Sequence, residues 1–423
     1  MEGCVYTGAL NCLRLILSAL VLLLSACATR ALRPVAATPH LVQTAAFRKE
    51  LAAVAMAPWT TGNSVRTLEN GDGFFPPMFR AAASAQRSIT FECYTAANCR
   101  EVVLFSRVLA ARAKAGVKVH VILDAIGCRQ WSGRLIQEMR LAGVEVKFFG
   151  KFHLQHPLAY NCRTHRRVLV LDGRTGYCGG AGYAFNWTGN AQDREHWRDT
   201  QYELRGPVVA QLQDNFNEHW RELTGAALRG RDYYPPLTKA GTLTAQMVAG
   251  SPQGQAGTIG GTFLLAIRAA HESILIEQSY FLPPPEITDA LVAAAARGVR
   301  VWIILPGKIT DWPIIKDVTL RTLGKLINAG AEIYEYEPTM MHGKLLTVDD
   351  HLVIAGSANL DPRSLFINAE NNLHVLDSAF AREQRRMFER DLSLSTLLIG
   401  DALRTCLPRR LRGLVMQCFS RLL

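Results

Sequence analysis

Two segments of the chain carry a histidine, a cation two residues later and an aspartate five residues after the cation. They contain His165, Arg167 and Asp172, and His342, Lys344 and Asp349. If each segment is a strand, its histidine and cation project from one face, because side chains two residues apart do so. An imidazole beside a fixed cation suits phosphate chemistry, since the cation holds a non-bridging oxygen while a ring nitrogen attacks phosphorus.

Each segment supplies only half of a phosphodiester-exchange site. The reaction needs a nucleophile on one side of phosphorus and a proton donor to the leaving oxygen on the other. Two segments facing each other across a pseudo-two-fold axis would provide one histidine for each task. Neither segment is accompanied by a carboxylate cluster that would indicate magnesium, and the chain has no G-x4-G-K-[ST] phosphate loop. We therefore expect no cofactor and no metal.

The two segments belong to a longer internal repeat. Three further blocks, each with a short apolar strand pattern, recur in the same order in both halves. They are residues 88–92 and 273–277, 116–123 and 298–305, and 142–146 and 329–333. Short β-branched runs alternate with Ala- or Leu-rich helical stretches, which predicts α/β architecture. The boundary between the halves is expected within residues 231–261, where Pro and Gly cluster.

The paired segments strongly resemble the H-x-K-x4-D signature of the phospholipase D superfamily. The stretch Gly-Ser-Ala-Asn-Leu-Asp-Pro-Arg-Ser at residues 356–364, with Asn-Ala-Glu at 368–370, is similar to the bacterial cardiolipin synthase branch. The resemblance covers roughly residues 65–395. It implies two tandem phospholipase D-type α-β-α sandwich lobes related by a pseudo-two-fold axis.

The resemblance also implies a role for each site residue. His165 would be the nucleophile that forms a phosphohistidine, and His342 would protonate the leaving alcohol and later activate the incoming one. The phosphate would be held by two cations and two neutral donors, namely Arg167, Lys344, Ser357 and Asn359. Family members place an orienting carboxylate where this chain has Asp199 and Glu370. Asp172 and Asp349 are expected to organise the loops behind the strands.

The first copy departs from the family pattern at two positions. Arg167 replaces the expected lysine, and Gly182 occupies the position that matches Asn359. Arginine still binds phosphate, but its planar fork differs in geometry from the point charge of a lysine. The alternative interpretation is a degenerate, inactive first half that only binds phosphate.

The N-terminus resembles a bacterial lipoprotein signal. Residues 13–24 are densely apolar but too short to span a bilayer comfortably, and Leu24-Ser25-Ala26-Cys27 follows as a lipobox-like sequence. Cys27 would then carry a lipid and anchor the protein facing the periplasm, with Ala28 favouring the outer membrane. A plain secretory signal and an uncleaved anchor helix are the alternatives.

Five parts of the chain are predicted, and they have different roles. They are a signal peptide at 1–27, a tether and lead-in at 28–62, a first lobe at 63–235, a second lobe at 236–400 and a basic amphipathic segment at 401–423. The net charge of +11 favours anionic partners such as a lipid surface. Cys93 with Cys99, and Cys162 with Cys178, are candidate disulfides for an oxidising compartment.

The preferred functional hypothesis is a phosphatidyl transferase that makes cardiolipin from phosphatidylglycerol and a second phospholipid. The alternatives are a phospholipase D, in which water resolves the intermediate, and a phosphodiesterase or nuclease. Phospholipids and the membrane surface are the expected partners, without nucleic acid, and the protein is expected to be a monomer.

Overall fold

A computed structural model describes residues 31–36, 39–151, 160–252 and 255–399. In the first half the strands are β1 (Thr60–Glu69), β2 (Ser88–Cys93), β3 (Lys118–Asp124), β4 (Glu145–Phe149), β5 (Val168–Leu171), β6 (Thr175–Gly179) and β7 (Thr200–Arg205). In the second half they are β8 (Leu243–Gly250), β9 (Ser273–Gln278), β10 (Arg300–Pro306), β11 (Glu332–Tyr336), β12 (Lys344–Val348), β13 (Leu352–Gly356), β14 (Glu370–Leu376) and β15 (Ser395–Leu397).

Helices alternate with these strands along the chain. The described helices are α1 (Ala45–Ala55), α2 (Asn70–Ser84), α3 (Arg100–Lys114), α4 (Gly133–Leu141), α5 (Val208–Thr224), α6 (Thr258–Ala269), α7 (Pro285–Ala296), α8 (Ile314–Asn328), α9 (Pro362–Phe366) and α10 (Ser378–Ser393). None of these described helices has the length and apolarity needed to cross a bilayer.

The strand order displays the predicted duplication. The first half reads β1-β7-β6-β5-β2-β3-β4 and the second reads β8-β14-β13-β12-β9-β10-β11, with β15 added at the far edge. The halves join where β1 pairs antiparallel with β8. In the first half the parallel pairs are β2 with β3 and β3 with β4, and in the second half they are β9 with β10 and β10 with β11. The two tandem α/β lobes predicted from the sequence are therefore confirmed.

Alternating side chains on the central strands build the layers of each lobe. On β5, Leu169 and Leu171 face a core that includes residues of α2, α3 and α4. Val168 and Val170 face the opposite way, into a core that also contains Leu345 of the second lobe. This period-two pattern covers both faces of the strand with apolar contacts. The inner faces of the two lobes thus share one core, which fixes the lobes relative to each other.

Part of the segment interpreted as a tether belongs to the folded body. Helix α1 buries Phe47 and Leu51 in the core of the second lobe, and Leu32 joins the same cluster. Helix α6 accepts this segment because of its glycines: a Cβ on Gly260 would lie 2.3 Å from the Leu32 side chain. The lead-in therefore packs on the second lobe. Cys27, with the rest of the predicted signal, and residues 401–423 lie outside the described residues.

The candidate disulfides are not formed. The thiol of Cys93 donates to the carbonyl of Thr95, and that of Cys99 contacts the carbonyl of Tyr183. Cys178 is a buried thiol in the core shared by the lobes. These cysteines act as small apolar residues, for which burial is the ordinary state.

Candidate active site

Each histidine segment is hydrogen-bonded to the opposite lobe through its backbone. The amide of His165, just before β5, donates to the carbonyl of Ala369 at 2.8 Å. The amide of His342, just before β12, donates to the carbonyl of Arg198 at 2.7 Å. The two segments therefore meet at the pseudo-two-fold axis, as the shared-site hypothesis requires.

The carboxylates that orient the histidines are exchanged between the lobes. Nδ1 of His165 lies 2.9 Å from Oε2 of Glu370, and Nδ1 of His342 lies 2.6 Å from Oδ2 of Asp199. All four side chains are buried. A carboxylate at Nδ1 holds the proton on that nitrogen and leaves Nε2 for chemistry. Each lobe thus supplies one histidine and the acceptor for the histidine of the other lobe.

The two carboxylates are supported by different neighbours. The hydroxyl of Ser357 donates to Oε2 of Glu370 at 2.5 Å. The indole of Trp187 donates to Oδ2 of Asp199 at 2.9 Å. Gly180 stands where the second lobe has Ser357, and a Cβ there would approach Oδ1 of Asp199 to 2.4 Å. The shorter carboxylate therefore requires a glycine behind it and takes its donor from a tryptophan.

The replacement of lysine by Arg167 is accompanied by a second difference between the lobes. Nζ of Lys344 donates to the hydroxyl of Ser279 at 2.6 Å, one residue after β9. The equivalent residue after β2 is Tyr94, whose ring centre lies 5.6 Å from the guanidinium carbon of Arg167. A guanidinium stacks on an aromatic face, whereas an ammonium is suited to a hydroxyl. The first lobe thus pairs arginine with tyrosine, and the second pairs lysine with serine.

Arg167 still has a donor available for phosphate. One terminal nitrogen of its guanidinium donates to the carbonyl of His165. Its buried Nε has no hydrogen-bond partner. A buried donor without a partner is costly, so a phosphate oxygen at this position would be stabilising.

Aromatic rings enclose both imidazoles. The ring of Tyr94 packs edge-on against His165 with centroids 4.8 Å apart. Trp197 stacks on His342 at 5.4 Å, and Trp187 meets the same imidazole at 5.1 Å. Rings that exclude water strengthen the electrostatic interactions inside the site.

The electrostatics of the two segments are shared across the lobes. Burial, followed by the charges of Arg167 and Lys344, holds the pKa of His165 well below its ordinary value. Burial and the charge of Lys344 lower the pKa of His342 to about 4, and Arg167 contributes as well. Each cation therefore acts on the histidine of the opposite lobe, as expected for one site with two cations.

The remaining ionisable groups of the site are shifted by burial too. Burial lowers the pKa of Lys344 to about 7, against the opposing charge of Asp199. Burial raises the pKa of Glu370 to about 7. Burial alone would raise the pKa of Asp199, but its contacts with His342 bring it below the ordinary value. Shifts of this kind, clustered around two histidines, are typical of a catalytic site.

Comparison with known proteins identifies the family. A family profile described as cardiolipin synthase, PLD-like domain, matches residues 78–220 and 263–392. Cardiolipin synthase A of Pseudomonas aeruginosa is 33% identical over 370 residues, which cover 87% of this chain and 74% of the relative. The chain belongs to the cardiolipin synthase family of the phospholipase D superfamily. It is also 32% identical over 363 residues to cardiolipin synthase 2 of Bacillus cereus, covering 85% of this chain and 70% of that one.

Solved structures carry the same fold at low sequence identity. Phosphatidylserine synthase of Haemophilus influenzae aligns with a TM-score of 0.68 at 13% identity, covering 89% of this chain and 100% of that one. Polyphosphate kinase of Porphyromonas gingivalis aligns with a TM-score of 0.55 at 15% identity, covering 88% of this chain and 53% of that one. The fold of this cardiolipin synthase family member is therefore that of the superfamily.

The aspartates of the two family signatures lie behind the strands. Asp172 accepts hydrogen bonds from the amides of Gln86, Arg87 and Ser88. Asp349 accepts equivalent bonds from the amides at residues 271–273. Both aspartates have φ near +50°, at 54° and 51°, a conformation that Asp tolerates better than most residues. Each aspartate therefore stabilises the turn that follows its strand. None of these hydrogen bonds involves His165 or His342.

Ser357 and Asn359 occupy different positions relative to the expected phosphate. The hydroxyl of Ser357 is engaged with Glu370, and its oxygen also accepts from the amide of Asn371 at 2.9 Å. The amide oxygen of Asn359 is buried without a hydrogen-bond partner. This oxygen of Asn359 can accept a hydrogen bond from a substrate hydroxyl, whereas Ser357 positions the carboxylate.

Sequence reasoning missed the aromatic and polar neighbours of the site. Trp187, Trp197, Tyr94 and Ser279 are not among the site residues predicted from the sequence. Glu92 is buried, is hydrogen-bonded to His219 at 2.6 Å, and also accepts from the hydroxyl of Thr164, the residue before His165. Tyr94 and Ser279 occupy equivalent positions in the internal repeat. This equivalence is the sequence signal that could have identified them as neighbours of the site. Within the described residues no cluster of His, Cys, Asp or Glu has metal-binding geometry.

Proposed function

We propose that this protein transfers a phosphatidyl group between alcohols and makes cardiolipin from phosphatidylglycerol and a second phospholipid. The crossed pairs, His165 with Glu370 and His342 with Asp199, carry the proposal because each histidine is held by a carboxylate of the opposite lobe. The curated relatives named cardiolipin synthases support the choice of substrate.

In the first step, Nε2 of His165 attacks phosphorus and the bond to the leaving alcohol breaks. A nucleophilic imidazole must be unprotonated, and burial beside two cations favours that state by lowering the pKa of His165. Arg167 and Lys344 hold the non-bridging oxygens. His342 gives its proton to the leaving oxygen, so that the headgroup of the donor departs as a neutral alcohol, which is glycerol when the donor is phosphatidylglycerol.

The proton on His342 is stabilised by the substrate. In the empty site burial and Lys344 bring the pKa of His342 down to about 4. A bound phosphodiester adds a negative charge, which raises the pKa of a neighbouring imidazole. Asp199 adds a second negative charge at Nδ1. Substrate binding thus prepares the acid for the step that needs it.

In the second step, the hydroxyl of the acceptor phosphatidylglycerol attacks the phosphohistidine. Neutral His342 takes the proton of that hydroxyl, and the phosphorus–nitrogen bond to His165 breaks. The intermediate keeps the phosphodiester free energy, so the transfer needs no nucleotide. Water in place of the acceptor would release phosphatidic acid, which is the hydrolase alternative.

The place of the reaction is part of the proposal. A lipid on Cys27 would hold the protein at the periplasmic side of the outer membrane, and the basic residues of 401–423 would contact anionic lipid. We propose that the chain acts there as a monomer, because one chain contains both histidine segments.

The test is an assay of lipid products by mass spectrometry. Purified protein is incubated with vesicles of phosphatidylglycerol, with and without phosphatidylethanolamine, and with or without EDTA. We expect cardiolipin in every arm and none from His165→Asn. Phosphatidic acid alone would identify a hydrolase, and loss of activity in EDTA would contradict a metal-free mechanism.

A further inference from the structure

A cavity of about 400 Å³ lies in the second lobe beside the candidate active site. It opens between the ends of β10 and β11 and helix α8. Its walls are mostly apolar and include Phe281, Leu305, Trp312, Ile315, Leu320 and Leu398. Its volume lies in the range of pockets that hold small organic ligands. Two of its polar lining residues, Lys316 and Glu335, form an ion pair with each other at 2.8 Å, and the apolar part of the lining favours an apolar group.

One side chain connects this cavity with the phosphate-binding machinery. Ser279 lines the cavity, and its hydroxyl accepts the hydrogen bond from Nζ of Lys344 at 2.6 Å. A phosphorus atom held by Lys344 would therefore lie one side chain away from the cavity. The substituents of that phosphorus are a glycerol backbone with two acyl chains and a headgroup alcohol. Of these, only an acyl chain matches the apolar walls.

The mouth of the cavity has the chemistry of a lipid surface. Trp312 lines the cavity and is 46% exposed. Exposed large apolar side chains grouped at an opening mark sites of ligand or membrane contact. Lys308 lines the same opening and is exposed. An apolar rim with a cation matches an anionic phospholipid that enters from a bilayer.

The first lobe differs at the connecting position. Tyr94 stands where the second lobe has Ser279, and its ring lies against Arg167 and His165. The serine that lines the cavity and bonds Lys344 is therefore a feature of the second lobe.

We propose that this cavity binds one acyl chain of the phosphatidyl donor and so makes the enzyme selective for long-chain phospholipids. The inference rests on the proposed function, since the chain must belong to a lipid whose phosphate reaches the histidines. Its test is the ratio of kcat/KM for dioleoyl phosphatidylglycerol to that for dihexanoyl phosphatidylglycerol. Both lipids are presented in detergent micelles at the same surface concentration.

Two tryptophan substitutions on helix α8 provide a matched pair. Leu320→Trp fills the cavity, whereas Arg321→Trp adds the same ring at an exposed neighbouring position. We expect Leu320→Trp to lower the long-chain to short-chain ratio about tenfold, because burial of an acyl chain contributes through each methylene. Arg321→Trp should keep the wild-type ratio. Circular dichroism and the melting temperature check that both variants fold.

A second variant covers the case in which Leu320→Trp does not fold. Leu320→Ala enlarges the cavity and should move the preferred chain length upward by several carbons in a series of saturated donors. The inference is overturned if wild type transfers both donors with equal kcat/KM, or if all three variants keep the wild-type ratio. It also falls if wild type transfers neither donor, and that result would count against the proposed function itself.

Discussion

Glu370, on the second lobe, accepts a hydrogen bond from Nδ1 of His165, on the first, at 2.9 Å. Glu370 also accepts a hydrogen bond from the hydroxyl of Ser357. Because Asp199 makes the reciprocal contact with His342, neither lobe contains both a histidine and the carboxylate that accepts from it. A single lobe would therefore lack the carboxylate that contacts its histidine.

Removing the charge of an orienting carboxylate is expected to misdirect its histidine. Glu370→Gln and Asp199→Asn keep the size of the side chain but replace the carboxylate with an amide. An uncharged amide no longer holds the histidine proton on Nδ1. We expect each to lower kcat by about a hundredfold or more, measured by initial rates of cardiolipin formation. Glu389→Gln, an exposed position on α10, is the control. Near-wild-type rates for Glu370→Gln would contradict the orienting role.

The pairing of Arg167 with Tyr94 is expected to be energetically coupled. Arg167→Lys loses the stacked guanidinium, and we expect about a tenfold fall in kcat/KM. In the double variant Arg167→Lys with Tyr94→Ser, the lysine regains a hydroxyl partner like the one that Lys344 has in Ser279. A double-mutant cycle on kcat/KM measures the coupling. Strictly additive single effects would show that the two differences between the lobes arose independently.

The buried ammonium of Lys344 predicts an alkaline limb in the pH profile. Burial lowers its pKa to about 7, so its charge is present below that pH and is lost as the pH rises through it. The free enzyme then loses one of two phosphate-holding cations, and kcat/KM should fall above about pH 7. Lys344→Arg should move this limb upward by about two pH units or more, because a guanidinium keeps its charge. If the Lys344→Arg variant shows the alkaline limb at the same pH, the limb arises from another ionisable group.

The aspartate of the first signature is expected to affect stability more than chemistry. Asp172→Asn keeps a residue that tolerates positive φ but weakens the acceptor of three amides. We expect the free energy of unfolding to fall by about 1–2 kcal/mol, measured by urea titration. The kcat of the folded protein should change less than threefold, roughly within the scatter for surface changes. A hundredfold loss of kcat with unchanged stability would place Asp172 in the reaction.

Much of the site could be predicted because it lies on repeated sequence. The two histidines, their cations and the duplicated strand order follow from blocks that recur in register, and the family resemblance supplied Asp199 and Glu370. The residues that support the orienting carboxylates could not be predicted in the same way. Trp187 reaches Asp199 from a short 3-10 helix, Phe185–Trp187, and Gly180 matters only because a carboxylate lies behind it.

The segment before the first lobe shows the same limit. Its Ala- and Thr-rich composition indicated a tether, but a few apolar residues were enough to dock it. Phe47 and Leu51 bury completely against the second lobe, where Gly260 leaves space for Leu32. Composition averages over such anchors, whereas packing depends on single side chains and the surface that they meet.

The central claim is a phosphatidyl group on His165, formed with help from His342. The most direct measurement uses His342→Ala with a phosphatidyl p-nitrophenol donor, whose leaving group departs without an acid. Without His342 the acceptor is not activated, so the adduct should accumulate. Intact-mass spectrometry and peptide mapping should then find one phosphatidyl group, located on His165. Release of nitrophenol without any adduct, or an adduct on another residue, would contradict the account.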